Sequence, residues 1–183
     1  MSAYDLPVAL EVAGKEYGIR SDFRAVLDIL IAMTDPDLSD YEKEEVMIEI
    51  LYEDDIPASG YEEACEKAVK FIDANISPDS KPRHRLMDWE QDAPLIIPAV
   101  NKIAGQEVRA LKYLHWWTFL GFFMEIGESQ FSQIVSIRQK KAKRVKLEKW
   151  EREFERENHS LIHLKVKETE DARAARESME KWL

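Results

Sequence analysis

Residues 113–126 read YLHWWTFLGFFMEI. The run holds two adjacent tryptophans, three phenylalanines and a histidine, and polar chain flanks it on both sides. Only three environments accept so dense an apolar stretch: a bilayer, a protein core, or a surface made for another protein. The stretch is shorter than the roughly 18 apolar residues a spanning helix needs, and His115, Thr118 and Glu125 interrupt it, so no membrane segment is expected. At about 100° per residue Trp116 and Trp117 face different directions, and apolar side chains surround most of the helix. Such a helix is either central or covered by something besides its own domain. Both environments stay open for it: a core helix throughout, or one face in the core and another in a protein interface. The helix is expected over residues 107–126, ended by Gly127.

The surrounding chain supplies partners for that helix. In residues 8–19, VALEVAGKEYGI, alternation on both sides of Ala13-Gly14 predicts a β-hairpin. A lone hairpin is marginal in water and has to pack on a helix or on another chain. Ser21 or Asp22 caps a helix through FRAVLDILIAM, whose Phe23, Val26, Leu27, Leu30 and Ile31 share one face. Ser39 and Glu42 have capping-box spacing, and the helix after them carries Val46, Met47, Ile50 and Leu51. A third helix is expected over 61–74. The prolines and serines of SPDSKPRHR, 77–85, mark a linker. A fourth helix is expected over 89–104, with Pro94 in its first turn and Gly105 as its stop. SQFSQIVSIR, 129–138, is a further helix. Residues 140–158 and 165–182 are charged, helix-prone and poor in apolar side chains, and are expected to bury little on their own. The reading is a mainly α protein: a hairpin-plus-helix domain over 1–139 and a charged helical extension over 140–183, mobile or ordered on a partner.

Composition bounds the function. The chain has 183 residues, 45% of them hydrophobic, in the range of folded domains. Residues 1–63 carry seventeen acids against four bases, and the remainder nineteen against twenty-two, giving the net charge of -10. An acidic front repels phosphates, and no nucleic acid partner is expected. Arg138, Lys140, Lys141, Lys143, Arg144, Lys146 and Lys149 form a basic block with a single acid, Glu148; it reads as a solvated face or as a contact for an acidic protein surface, including a second copy of this chain. Cys65 is alone, so no intrachain disulfide forms, in keeping with a reducing cytoplasm. No basic, apolar leader is visible after Met1.

The candidate sites for chemistry are weak. His159 and His163 have the spacing of two metal ligands on a helix but lack companions. His115 reads as a core or boundary histidine. Asp88, Glu90 and Asp92 suit the dipole of a helix start better than paired-carboxylate catalysis. No phosphate-cradling glycine loop, CxxC pair or nucleophile–base constellation is present. No catalysis, cofactor or metal is expected.

The order GKEYGI, SDFR, DPDLSDYEK, DWEQDAPLIIPAVNKIAG, YLHWWTFLGFF and FSQIVSIR resembles a family of tailed-phage proteins known as gene product fifteen, over residues 6 to about 140. Tyr113, Leu114, His115, Trp116, Trp117, Phe119, Phe131, Ile134 and Arg138 match the most specific part of that pattern. The resemblance implies a siphophage or prophage tail assembly chaperone in the host cytoplasm. Such a protein keeps the tape measure protein soluble and hands it over as tail-tube protein polymerises. A structural tail or head–tail adaptor protein retained in the virion is the alternative. The family has no agreed catalytic residues. Tyr113, His115, Trp116, Trp117, Phe119, Phe123, Phe131 and Arg138 are the expected partner or core surface, and a homo-oligomer is expected.

Overall fold

The computed structural model describes residues 4–75 and 84–180; most of the expected 77–85 linker lies outside the described residues. Two strands, β1 (Ala9–Val12) and β2 (Lys15–Gly18), pair antiparallel with Leu10 opposite Tyr17. Ala13 and Gly14 between them have φ of 51° and 76°, as a two-residue hairpin turn with the right twist requires. A glycine reaches that region without strain and an alanine does not. Glu63 accepts the Ala13 N–H at 2.9 Å and so holds the strained residue.

The rest is helical, and the protein is mainly α. The helices are α1 (Phe23–Ala32), α2 (Asp40–Leu51), α3 (Tyr61–Ile72), α4 (Ala93–Ala104), α5 (Trp116–Met124), α6 (Gln130–Ala142), α7 (Lys149–Glu157), α8 (His159–Ile162) and α9 (Glu170–Glu180). Local chemistry sets several ends. Asp22 accepts the Arg24 N–H at the start of α1. Ser39 and Glu42 form a reciprocal capping box on α2. Pro94 sits in the first turn of α4, and Gly105 ends it at φ 69°. Arg20 closes the other end of α2, donating to the carbonyls of Glu49, Ile50 and Tyr52 at 2.8, 2.9 and 2.6 Å. Those are last-turn acceptors that a helix cannot satisfy internally.

One core runs from Val12 and Tyr17 of the hairpin through α1–α5 to Phe131 on α6. The hairpin packs on α3, while α5 lies against α1 and α4. Phe23 and Phe119 stack at its centre, centroids 4.6 Å apart. A second, smaller cluster lies on the other side of α6, where Ile134 and Ile137 meet Ile162, with Leu147, Phe154 and Leu161 around them.

Two expectations need correction, and a third segment packs where composition did not place it. The aromatic helix starts at Trp116 rather than near 107. A 3-10 turn, Val108–Ala110, and an extended stretch precede it. The extended stretch pairs with the segment before α1: Leu114 accepts the Phe23 N–H at 2.9 Å and Ser21 accepts the Trp116 N–H at 2.8 Å. Backbone groups spent on that pairing cannot enter a helix. The fourth helix starts at Ala93, because Asp88 draws the N–H groups of Glu90 and Gln91 into a tight turn ahead of it. The charged segment 140–158, expected to bury little on its own, holds the end of α6 and the whole of α7. It breaks after Ala142, where Arg144 takes a φ of 56°, and α7–α8 fold back on α6. Few apolar residues suffice for that, because Leu147, Phe154 and Ile162 meet a side of α6 that the main core leaves open.

Candidate partner surface around the aromatic helix

The double tryptophan grips one end of α3. The indole N–H of Trp116 donates to the Ile72 carbonyl and that of Trp117 to the Phe71 carbonyl, both at 2.8 Å. The two rings leave α5 in different directions yet reach adjacent carbonyls of a helix terminus, where acceptors are in excess. Trp116 is buried and stacks toward Phe119, also buried. Trp117 is half-buried and lies along Phe71.

His115 is the N-cap of α5. Its Nδ1 accepts the Trp117 N–H at 3.0 Å. The neutral ring then carries its proton on Nε2, which donates to the Pro7 carbonyl at 2.9 Å. One buried imidazole thus starts the aromatic helix and ties down the chain ahead of the hairpin. Tyr113 is exposed, with its hydroxyl 2.8 Å from that of Ser21. Phe123 is half-buried between Trp89, 4.8 Å away, and the buried Phe131.

Arg138 is buried and fully engaged. Its Nε donates to Ile162 O at 3.0 Å, Nη1 to Leu86 O at 3.0 Å and Asp92 Oδ2 at 2.7 Å, and Nη2 to Asp92 Oδ1 at 2.9 Å and Leu161 O at 2.5 Å. All of the guanidinium's N–H groups are used. The residue clasps α6, the start of α4, the end of α8 and the 84–88 segment together, and has no donor left for a partner. Asp92 also accepts the Asp88 N–H at 2.9 Å, and Arg85 pairs with Asp88. The acidic cluster of DWEQDAP is therefore the counterpart of a distant arginine as well as a helix-start feature. Nearby, Lys140 bonds Glu151 at 2.6 Å and, with the Glu148 N–H, holds its carboxyl below the usual range. Lys141 does the same for Glu155.

On this side of the molecule the outer face of α5 and its neighbours is open to a partner. Trp117 and Phe71 form a wall of a groove of ≈ 390 Å³ with Pro7 and Leu10, and Lys67 and Lys70 stand at its rim. Val8, Val69, Tyr113 and Met124 are exposed. Pro7, Leu10, Phe71 and Lys70 could not be read as groove residues from the chain, since the hairpin and α3 meet only in three dimensions. Trp89, read only as part of a helix start, carries an aromatic ring onto both Trp116 and Phe123.

Chemistry is sparse elsewhere. The His159 and His163 rings stack at 4.1 Å, with Lys141 and Glu155 beside His163. Among the described residues no group of three or more His, Cys, Asp and Glu side chains is placed to hold a metal. Burial pushes the Cys65 thiol up, away from the reactive thiolate. Among the described residues no helix is long and apolar enough to cross a membrane.

A family model described as "Bacteriophage Gp15 protein" matches residues 3–164. No curated protein and no solved structure gives a match.

Proposed function

Because the chain belongs to the bacteriophage Gp15 family, a family of phage structural and assembly proteins, we propose that it is a non-catalytic tail assembly chaperone. It binds the tape measure protein in the host cytoplasm, keeps it soluble, and releases it as tail-tube protein polymerises. The observation that carries this reading is the family match itself, which spans nearly the whole chain, residues 3–164.

The geometry supports it in two ways. The groove beside Trp117 has an apolar wall and a rim of mixed charge, Lys67 and Lys70 with Glu11, the chemistry that receives an amphipathic helix flanked by charged residues. The half-buried tryptophan supplies the large, rigid contact area typical of an interface anchor. The net charge of -10 keeps a protein with such a surface dispersed.

Mass spectrometry of purified particles from the parent phage tests the reading. A chaperone is absent from finished virions, whereas a structural tail or head–tail adaptor protein is present at fixed stoichiometry. Its detection at one or more copies per tail ring would replace the chaperone reading with the structural one.

A further inference from the structure

We propose that the chain associates with itself head to tail, the basic corner between α6 and α7 of one copy docking on the acidic groove beside α2 of the next. The proposal stands on surface chemistry and does not depend on the chaperone reading.

The corner is residues 143–150. Of the basic block, Arg138, Lys140 and Lys141 are consumed by Asp92, Glu151 and Glu155. Lys143, Arg144, Lys146 and Lys149 are exposed, and among the described residues no salt bridge joins them to an acid. Two large apolar side chains stand exposed among these four cations: Val145, 51% exposed, and Trp150, 55% exposed. A tryptophan held in solvent in a stretch of eight residues with four unpaired cations and one acid, Glu148, is the composition of a docking anchor with a polar, net-positive rim.

The complement lies on the same chain. Residues 40–66 carry eleven acids and one base. Glu45, Glu49, Glu53, Asp54 and Asp55 line a groove of ≈ 590 Å³ whose floor includes Ile48 and Ile56. Arg20, the base in that lining, already donates to three carbonyls. The Tyr61 hydroxyl on the groove wall is shielded from solvent and has no hydrogen-bond partner. An ammonium group entering the groove would meet carboxylates on several sides. Excess cations with an aromatic anchor at one place, and excess carboxylates with an apolar floor at another, are complementary in sign and in kind. Because the two surfaces differ, their contact is heterologous and propagates into a ring or an open spiral.

Sedimentation velocity on the full chain tests this, after nuclease treatment, at about 50 mM and about 500 mM salt, between which charge screening changes severalfold. The mass should grow past a dimer with concentration at low salt and fall to the monomer at high salt. Trp150→Ala, and separately the triple change Lys143→Gln, Arg144→Gln, Lys146→Gln, should each weaken association at least about tenfold. Glu45→Gln, Glu49→Gln, Asp54→Asn should do the same from the other side. Mixed one to one, the two charge-neutralised variants retain one intact surface each and should form a species of two chains and none larger. All altered residues are exposed, and circular dichroism checks that each variant is folded. A wild-type chain that stays monomeric at low salt, stops at a symmetric dimer, or associates only before nuclease treatment overturns the proposal. So does association that ignores Trp150 and salt.

Discussion

Replacing Arg138 by methionine puts the account of α6 to a quantitative test. The side chain is 6% exposed and its partner Asp92 is 3% exposed. Methionine fills much of the same volume, so the loss is mainly electrostatic and polar. Asp92 would keep one donor, the Asp88 N–H, and lose two charged ones. The carbonyls of Leu86, Leu161 and Ile162 would lose their guanidinium donors as well. Removing one partner of a buried ion pair costs about 3–5 kcal/mol. For a chain of this size each kcal/mol moves Tm by about 2–4 °C, which gives a fall of roughly 6–20 °C. Thermal unfolding followed by far-ultraviolet circular dichroism reads it directly. The double change Arg138→Met, Asp92→Asn removes the stranded charge and should cost less than the sum of the single changes by about 1–3 kcal/mol. If Arg138→Met shifts Tm by less than about 3 °C, or the double change is simply additive, the arginine is not the clasp described.

The indole clamp predicts that Trp116→Phe and Trp117→Phe each lose one hydrogen bond, about 1 kcal/mol, with faster amide exchange confined first to the end of α3 around Phe71–Asn75. Trp116→Ala, which empties a buried site, should cost about 3–5 kcal/mol, and Trp117→Ala clearly less, leaving a folded chain with a weakened client groove; equal losses would refute the division. Lys140 and Lys141 hold the Glu151 and Glu155 carboxyls below their usual 4.5. Depressed folded values stabilise above pH 4.5 and lose that contribution as pH falls through the depressed range. Hydrogen exchange across α7–α8 should therefore accelerate in acid before that of α1, and exchange that rises together in both would count against it. The Tyr52 phenol, desolvated and donating to the Ala64 carbonyl at 3.0 Å, is pushed up to about 12. A raised value stabilises fully below the unfolded value of 10.0 and is lost as pH climbs toward 12; Tyr52→Phe should flatten that stretch of the alkaline stability curve.

Features encoded by neighbours along the chain were legible in the sequence. The Ala13-Gly14 turn, the Ser39–Glu42 box, Pro94 in a first turn and the Gly105 stop all depend on residues within one turn of each other. The composition of the aromatic run left two environments open, core throughout or core on one face and interface on another, and Trp116 and Phe119 are buried in the core. The helix's starting point was not legible, since that is set by backbone pairing with Ser21–Phe23 and by the Asp22 carboxylate on the Leu114 N–H, ninety-two positions away. Arg138 reads from the chain as the first cation of the basic block and as a residue of the family pattern, with no partner in view. Its partner stands forty-six positions upstream, in a motif for which helix-dipole chemistry already offered a local reason. Where the extension packs was not legible for a similar reason: composition counts apolar residues, whereas burial depends on where Phe154 and Ile162 land. Of the groove, only Trp117 could be named in advance, because its other walls come from the hairpin and α3.

The central claim is that this chain holds an aggregation-prone client in solution by stoichiometric binding. Co-expression with the tape measure protein encoded in the same phage, followed by measurement of the client's soluble fraction and of co-purification, addresses it most directly. The account predicts that the tape measure protein is insoluble alone, soluble and co-purifying with this chain, and substantially less so with Trp117→Ala. A tape measure protein whose solubility is unchanged by the wild-type chain, with no complex recovered, would contradict it.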